Sequence, residues 1–148
     1  PNEIGFMTKL NELELRCNCL DILPTSIGLL TNIESIKTDN NPLQSLPSSI
    51  GYLTKLKTLE CMSNELTLLP QEIGLLTNLT HIRFWKNNLK EIPVELCLLT
   101  KLQNLDFFGN QLQILPKEIT QLTNLTNLEI SHNNLQSIPP QLAKVIRI

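Results

Sequence analysis

The chain repeats itself at a period of 23 residues. Six copies stand in register: MTKLNELELRCNCLDILPTSIGL (7–29), LTNIESIKTDNNPLQSLPSSIGY (30–52), LTKLKTLECMSNELTLLPQEIGL (53–75), LTNLTHIRFWKNNLKEIPVELCL (76–98), LTKLQNLDFFGNQLQILPKEITQ (99–121) and LTNLTNLEISHNNLQSIPPQLAK (122–144). Residues 1–6 match the columns of Pro24 to Leu29 one period earlier, and residues 145–148 begin a seventh unit. No local propensity constrains the fold as tightly. A single unit of this length cannot bury its own leucines, so the copies must stack into one continuous core.

Each column then has a physical reading. Leu10, Ile33, Leu56, Leu79, Leu102 and Leu125 recur, followed three residues later by Leu13, Ile36, Leu59, Ile82, Leu105 and Leu128. Leu20, Leu43, Leu66, Leu89, Leu112 and Leu135 form a further buried column. The alternation Leu13-x-Leu15 predicts a short half-buried strand in every repeat. Strands joined by a crossover of this length, returning on the same side, are parallel. Asn18, Asn41, Asn64, Asn87, Asn110 and Asn133 share one place, and their amides can both donate and accept. A ladder of them would satisfy the backbone where each strand turns away. Pro24, Pro47, Pro70, Pro93, Pro116 and Pro139 stop the strand direction and open the return path. A small column, Gly28, Gly51, Gly74, Cys97, Thr120 and Ala143, precedes each "LTN" or "LTK".

The pattern L-x-x-L-x-L-x-x-N-x-L followed by L-P-x-x-I-G-x-L-T-N resembles the leucine-rich repeat family. Its 23-residue form is similar to the intracellular subclass of Ras-pathway leucine-rich scaffolds, Ras suppressors and plant intracellular Ras-group proteins. The resemblance covers the whole chain and implies an α/β solenoid, curved, with a parallel sheet on its concave face. Short helical or 3-10 turns would form the convex face. Neither end carries the polar cap with which solenoids close, so residues 1–148 are expected to be a single domain cut from a longer protein. A complete small protein with improvised ends is the competing reading.

Several function classes find no support. The net charge of −2 gives no footprint for nucleic acid or an anionic membrane. No apolar run approaches the roughly 18 residues that a membrane span needs. Cys17, Cys19, Cys61 and Cys97 do not show the spacing of a metal site and suit a reducing, cytoplasmic compartment. His81 and His132 lie two repeats apart, roughly 10 Å by strand spacing, too far to share a metal. With no phosphate loop, nucleophile elbow or paired carboxylates, the chain is not read as an enzyme, and no catalytic, cofactor or metal site is expected. Asn78-Leu79-Thr80 and Asn124-Leu125-Thr126 match the glycosylation sequon as by-products of "LTNLT".

The concave face carries the candidate site. Alternation places His81, Arg83, Trp85 and Lys86 outward. The column of Trp85 reads Arg16, Asp39, Met62, Trp85, Phe108, Ser131. Met62, Trp85 and Phe108 are therefore expected to form an exposed apolar stripe of the residue types enriched in interface cores. Shielding of the sheet by mutual stacking is the alternative. The column Glu14, Lys37, Glu60, Arg83, Asp106, Glu129 alternates in sign through Asp106 and predicts weak cross-strand ion pairs. His81, Arg83 and Lys86 would make a basic island around Trp85, flanked by Glu60 and Asp106, and Gly109 would open a shallow pocket beside Phe108. The buried column Leu15, Thr38, Cys61, Phe84, Phe107, Ile130 departs from leucine and predicts a change in packing and curvature.

These features point to a protein-binding scaffold whose concave face docks a folded partner. The family resemblance implies small GTPases or phosphatase subunits as partners. A targeting or sensing segment of a larger enzyme, such as a kinase or phosphatase, is the second reading. A spacer without a partner of its own is the third.

Overall fold

The computed structural model describes residues 1–144. The seventh unit expected at 145–148 and the side chain of Ala143 lie outside the described residues. Six strands stack in chain order: β1 (Glu12–Glu14), β2 (Ser35–Lys37), β3 (Thr58–Glu60), β4 (His81–Arg83), β5 (Asn104–Asp106) and β6 (Asn127–Glu129). All pairs are parallel and in period register, Leu13 beside Ile36 and Leu59 beside Ile82. The strand sits one residue earlier than the alternation predicted. Leu13 is its buried centre, and Leu15 lies just past its end, half-buried.

Every return path carries a five-residue 3-10 turn, beginning with Asn2–Phe6 and Thr25–Leu29. Proline precedes each of the described turns; Pro24, with φ −67° and ψ 148°, holds the extended entry that its ring imposes. The core between sheet and turns is a stack of leucine and isoleucine columns, with Phe84 against Phe107 at 5.7 Å between ring centroids. These two rings fill the column that departs from leucine.

The asparagine ladder forms as its chemistry requires. Asn87 Nδ2 donates to Cys61 O at 2.8 Å and Phe84 O at 2.9 Å, while its Oδ1 accepts from Leu66 N at 3.0 Å. From Asn41 to Asn133 each such amide ties its own strand end to the preceding repeat, which explains why Asn41, Asn64, Asn87 and Asn110 are tolerated as buried polar residues. A second ladder explains the alternation of "LTN" with "LTK". Asn32 Nδ2 donates to Thr8 O, and Lys55 Nζ donates to Asn32 Oδ1 at 2.7 Å. Asn78 and Lys101 repeat the arrangement two units on.

The glycines of the small column set how closely the outer turns approach. A Cβ on Gly5, Gly28, Gly51 or Gly74 would stand 2.6–2.9 Å from the backbone oxygen or Cβ of the following turn. Where Cys97 and Thr120 replace glycine, the successive turns pack less closely.

Candidate recognition surface

Past each strand the chain turns through a left-handed residue: Cys17, Asn40, Ser63, Lys86, Gly109 and His132 have φ between 51° and 64°. That bend decides where the next side chains go. Trp85 and Lys86 lie beyond β4 rather than within it, and Lys86 folds back so that its Nζ sits 5.0 Å from the Trp85 ring centroid. The Trp85 indole N–H is directed at the Met62 sulfur. Phe108 instead packs on His132, with centroids 4.8 Å apart. Met62, Trp85 and Phe108 are consequently half-buried, so the stripe is exposed only in part. The pocket expected beside Gly109 is not needed to explain that glycine. Its φ of +64° does so, and Lys86 Cγ would lie 3.6 Å from a Cβ there.

The charged columns interlock more deeply than surface pairs. Glu60, expected as an exposed flank, is only 4% exposed. Its carboxylate accepts from Arg83 at 2.7 Å in the neighbouring strand and from Arg16 at 2.9 Å two repeats away. Arg16 also pairs with Asp39 at 2.8 Å, and Asp39 accepts from Met62 N. Burial holds the Asp39 carboxyl above its ordinary range in spite of that guanidinium. Sequence reasoning missed Arg16 and Asp39, although they stand as adjacent opposite charges in the Trp85 column, because the apolar run after them dominates that column. Nearer the first repeat, Lys37 bonds Glu12 and Glu14, which holds Glu14 below the usual carboxylate range.

The remaining expected residues are placed around this network. His81 Nδ1 lies 2.9 Å from Thr80 Oγ1. Asp106 is half-buried, accepts from Phe108 N at 2.9 Å, and is raised by that burial. The basic island is thus partly neutralised: Arg83 is committed to Glu60, and Lys86 to the indole face. Cys61 and Cys97 are buried thiols pushed up to about 12, which leaves them protonated and inert. Among the described residues no cluster of three or more His, Cys, Asp or Glu could hold a metal ion, and no helix is long and apolar enough to cross a membrane.

Known proteins place this geometry. The family described as "Leucine-rich repeat region" matches residues 1–111, and "Leucine Rich Repeat" matches 101–122 and 124–145. Among curated proteins, no sequence match was found. The chain is similar to a plant peptide hormone receptor, RGFR1, solved in complex with RGF2: TM-score 0.89 and 30% identity over 98% of this chain. It is equally similar, at TM-score 0.89 and 32% identity over 98% of the chain, to the ectodomain of the membrane receptor kinase GASSHO1/SCHENGEN3 from Arabidopsis thaliana. That receptor was solved in complex with CASPARIAN STRIP INTEGRITY FACTOR 2. The chain spans 24% and 18% of those two structures. An internalin from Listeria monocytogenes, at TM-score 0.75 and 23% identity, shares the fold over 97% of the chain and 48% of its own length. The repeat read from the sequence, the stacked parallel sheet and the matched family agree: the chain belongs to the leucine-rich repeat family.

Proposed function

We propose that this chain is a protein-recognition module whose concave face docks a protein partner at Met62, Trp85 and Phe108. Leucine-rich repeats are in general protein-binding rather than catalytic domains, and the observation that carries the reading is the half-exposed apolar stripe itself. Three large side chains of types enriched at interface cores stand just past the ends of successive strands, on a surface otherwise lined by polar residues. His81, Arg83, Lys86, Glu60 and Asp106 frame it, so a partner with an apolar anchor ringed by charge of both signs suits the site. The resemblance of its repeat to the Ras-related subclass makes a small GTPase or a phosphatase subunit the partner to test first. Four free cysteines, two of them exposed, support a cytoplasmic setting.

A peptide ligand is the second reading, favoured by the likeness to a receptor solved with a peptide hormone. A targeting segment of a larger enzyme remains compatible with the same surface. The test is capture from native lysate with the parent and with Trp85→Ala, after circular dichroism establishes that both fold, followed by titration of the recovered partner. We expect Trp85→Ala to weaken binding by roughly 30-fold or more, the effect of losing a central aromatic anchor. Equal affinity of the two proteins for the same partner would refute the site.

A further inference from the structure

A row of exposed apolar side chains lies on the opposite face. Phe6, Leu29, Tyr52, Leu75 and Leu98 end five successive 3-10 turns and stand one above another at 55–80% exposure. The fold does not require them to be apolar, since Gln121 holds the same position in the next turn. The ridge coincides with the glycine-spaced part of the solenoid. Leu29 lies over Gly5, Tyr52 over Gly28 and Leu75 over Gly51, so closely approaching turns stack these side chains one level upon the next. In the turn that Leu98 ends Cys97 already takes the glycine place, and Thr120 takes it in the next. Five such side chains present roughly 500–600 Å², the upper range of a single patch on a monomer. With flanking polar rows this approaches the ~800 Å² per partner of a standard interface.

Charge identifies the occupant. Three residues before the ridge stand Glu3, Ser26, Ser49, Glu72 and Glu95, and three residues after it Lys9, Asn32, Lys55, Asn78 and Lys101. At the two ends of the ridge both positions are charged: Glu3 and Lys9 flank Phe6, and Glu95 and Lys101 flank Leu98. Lys101 is held in place by Asn78 at 2.7 Å. We infer that the convex ridge is a self-association surface, closed by a second copy of this chain about a two-fold axis running along the ridge. That axis sets each level against its own copy, so Glu3 faces Lys9 and Glu95 faces Lys101 on both sides. The antiparallel alternative would set Glu3 against Glu95 and Lys9 against Lys101. The arrangement is isologous, and it leaves both concave faces pointing outward.

Sedimentation equilibrium of the whole chain tests this inference. The parent is expected to show a concentration-dependent species of twice the chain mass. Tyr52→Gln with Leu75→Gln, the residue that Gln121 shows to be accommodated, should weaken it by roughly tenfold or more. Two charge-reversed proteins, Glu3→Lys with Glu95→Lys and Lys9→Glu with Lys101→Glu, should each be monomeric alone and associate when mixed. A parent that stays monomeric up to roughly 1 mM, where only about 4 kcal/mol of binding would be needed, overturns the proposal and leaves the ridge to a different protein. So does a dimer indifferent to the glutamine pair, or a mixture of reversed proteins that fails to associate.

Discussion

The two faces of the solenoid treat large apolar side chains in opposite ways. On the concave side, Trp85 is half-buried by Met62 and Lys86, and the carboxylates of Asp39 and Glu60 disappear beneath Arg16 and Arg83. On the convex side, Leu29, Tyr52 and Leu75 lie over glycines, and with Phe6 and Leu98 they remain mostly in water. Strands one repeat apart are held at about 5 Å, so long side chains on the sheet reach their neighbours and interlock. Turns pressed together through glycine backbones leave their terminal side chains nowhere to fold but outward. A concave residue is therefore part of a network, and a convex ridge residue is an independent unit.

The largest effect that would break this contrast comes from the glycine column. Gly28→Val forces a side chain against Ser49 O, where even a Cβ would stand at 2.7 Å. We expect a loss of about 3 kcal/mol in urea unfolding. Cys97→Val, where the turns are already spread, should cost less than about 1.5 kcal/mol by the same measurement. Equal losses would show that glycine does not set the spacing.

Next in size is the concave network. Arg16→Met removes the cation shared by Asp39 and Glu60, and should cost about 1–2 kcal/mol at neutral pH. That figure is discounted because the Arg16 side chain is 40% exposed. Without the guanidinium the Asp39 carboxyl, already raised by burial, rises further. A raised acid binds more protons folded than unfolded, so the deficit is full at neutral pH and closes as the pH falls through that raised value. Denaturation curves at neutral and mildly acidic pH would read it; a pH-independent deficit would exclude the electrostatic account.

The smallest pair sharpens the comparison directly. Trp85→Ala should cost about 1–2 kcal/mol through its lost contacts with Met62 and Lys86, whereas Tyr52→Gln should change stability by less than about 0.5 kcal/mol. Both are to be measured in protein too dilute to self-associate, because mass action would otherwise add to the second. A Tyr52→Gln loss as large as that of Trp85→Ala would mean the ridge is core rather than surface.

Much of this was legible in residue order alone. The 23-residue period, the leucine columns and the recurring asparagine demand stacked parallel strands, because no other arrangement buries so much leucine while pairing so regular a polar group. The strand's position was misjudged by one residue, since the left-handed bend after it leaves no mark when Cys17, Asn40, Ser63 and Lys86 occupy it instead of glycine. The residues of the candidate site were legible by column, yet their exposure was not. Glu60 reads as a surface charge in a sign-alternating row until Arg16, forty-four positions away, closes over it.

Sequence by itself thus determined the architecture of this leucine-rich repeat chain: which residues recur, which face the core, and how neighbouring copies pair. That information is periodic and local, and a repeat expresses it in every copy. Only the tertiary structure decided which surface residues are free. Exposure depends on the reach of particular side chains across one and two strand spacings, and on how closely the backbones of successive turns approach, neither of which is written in any single repeat.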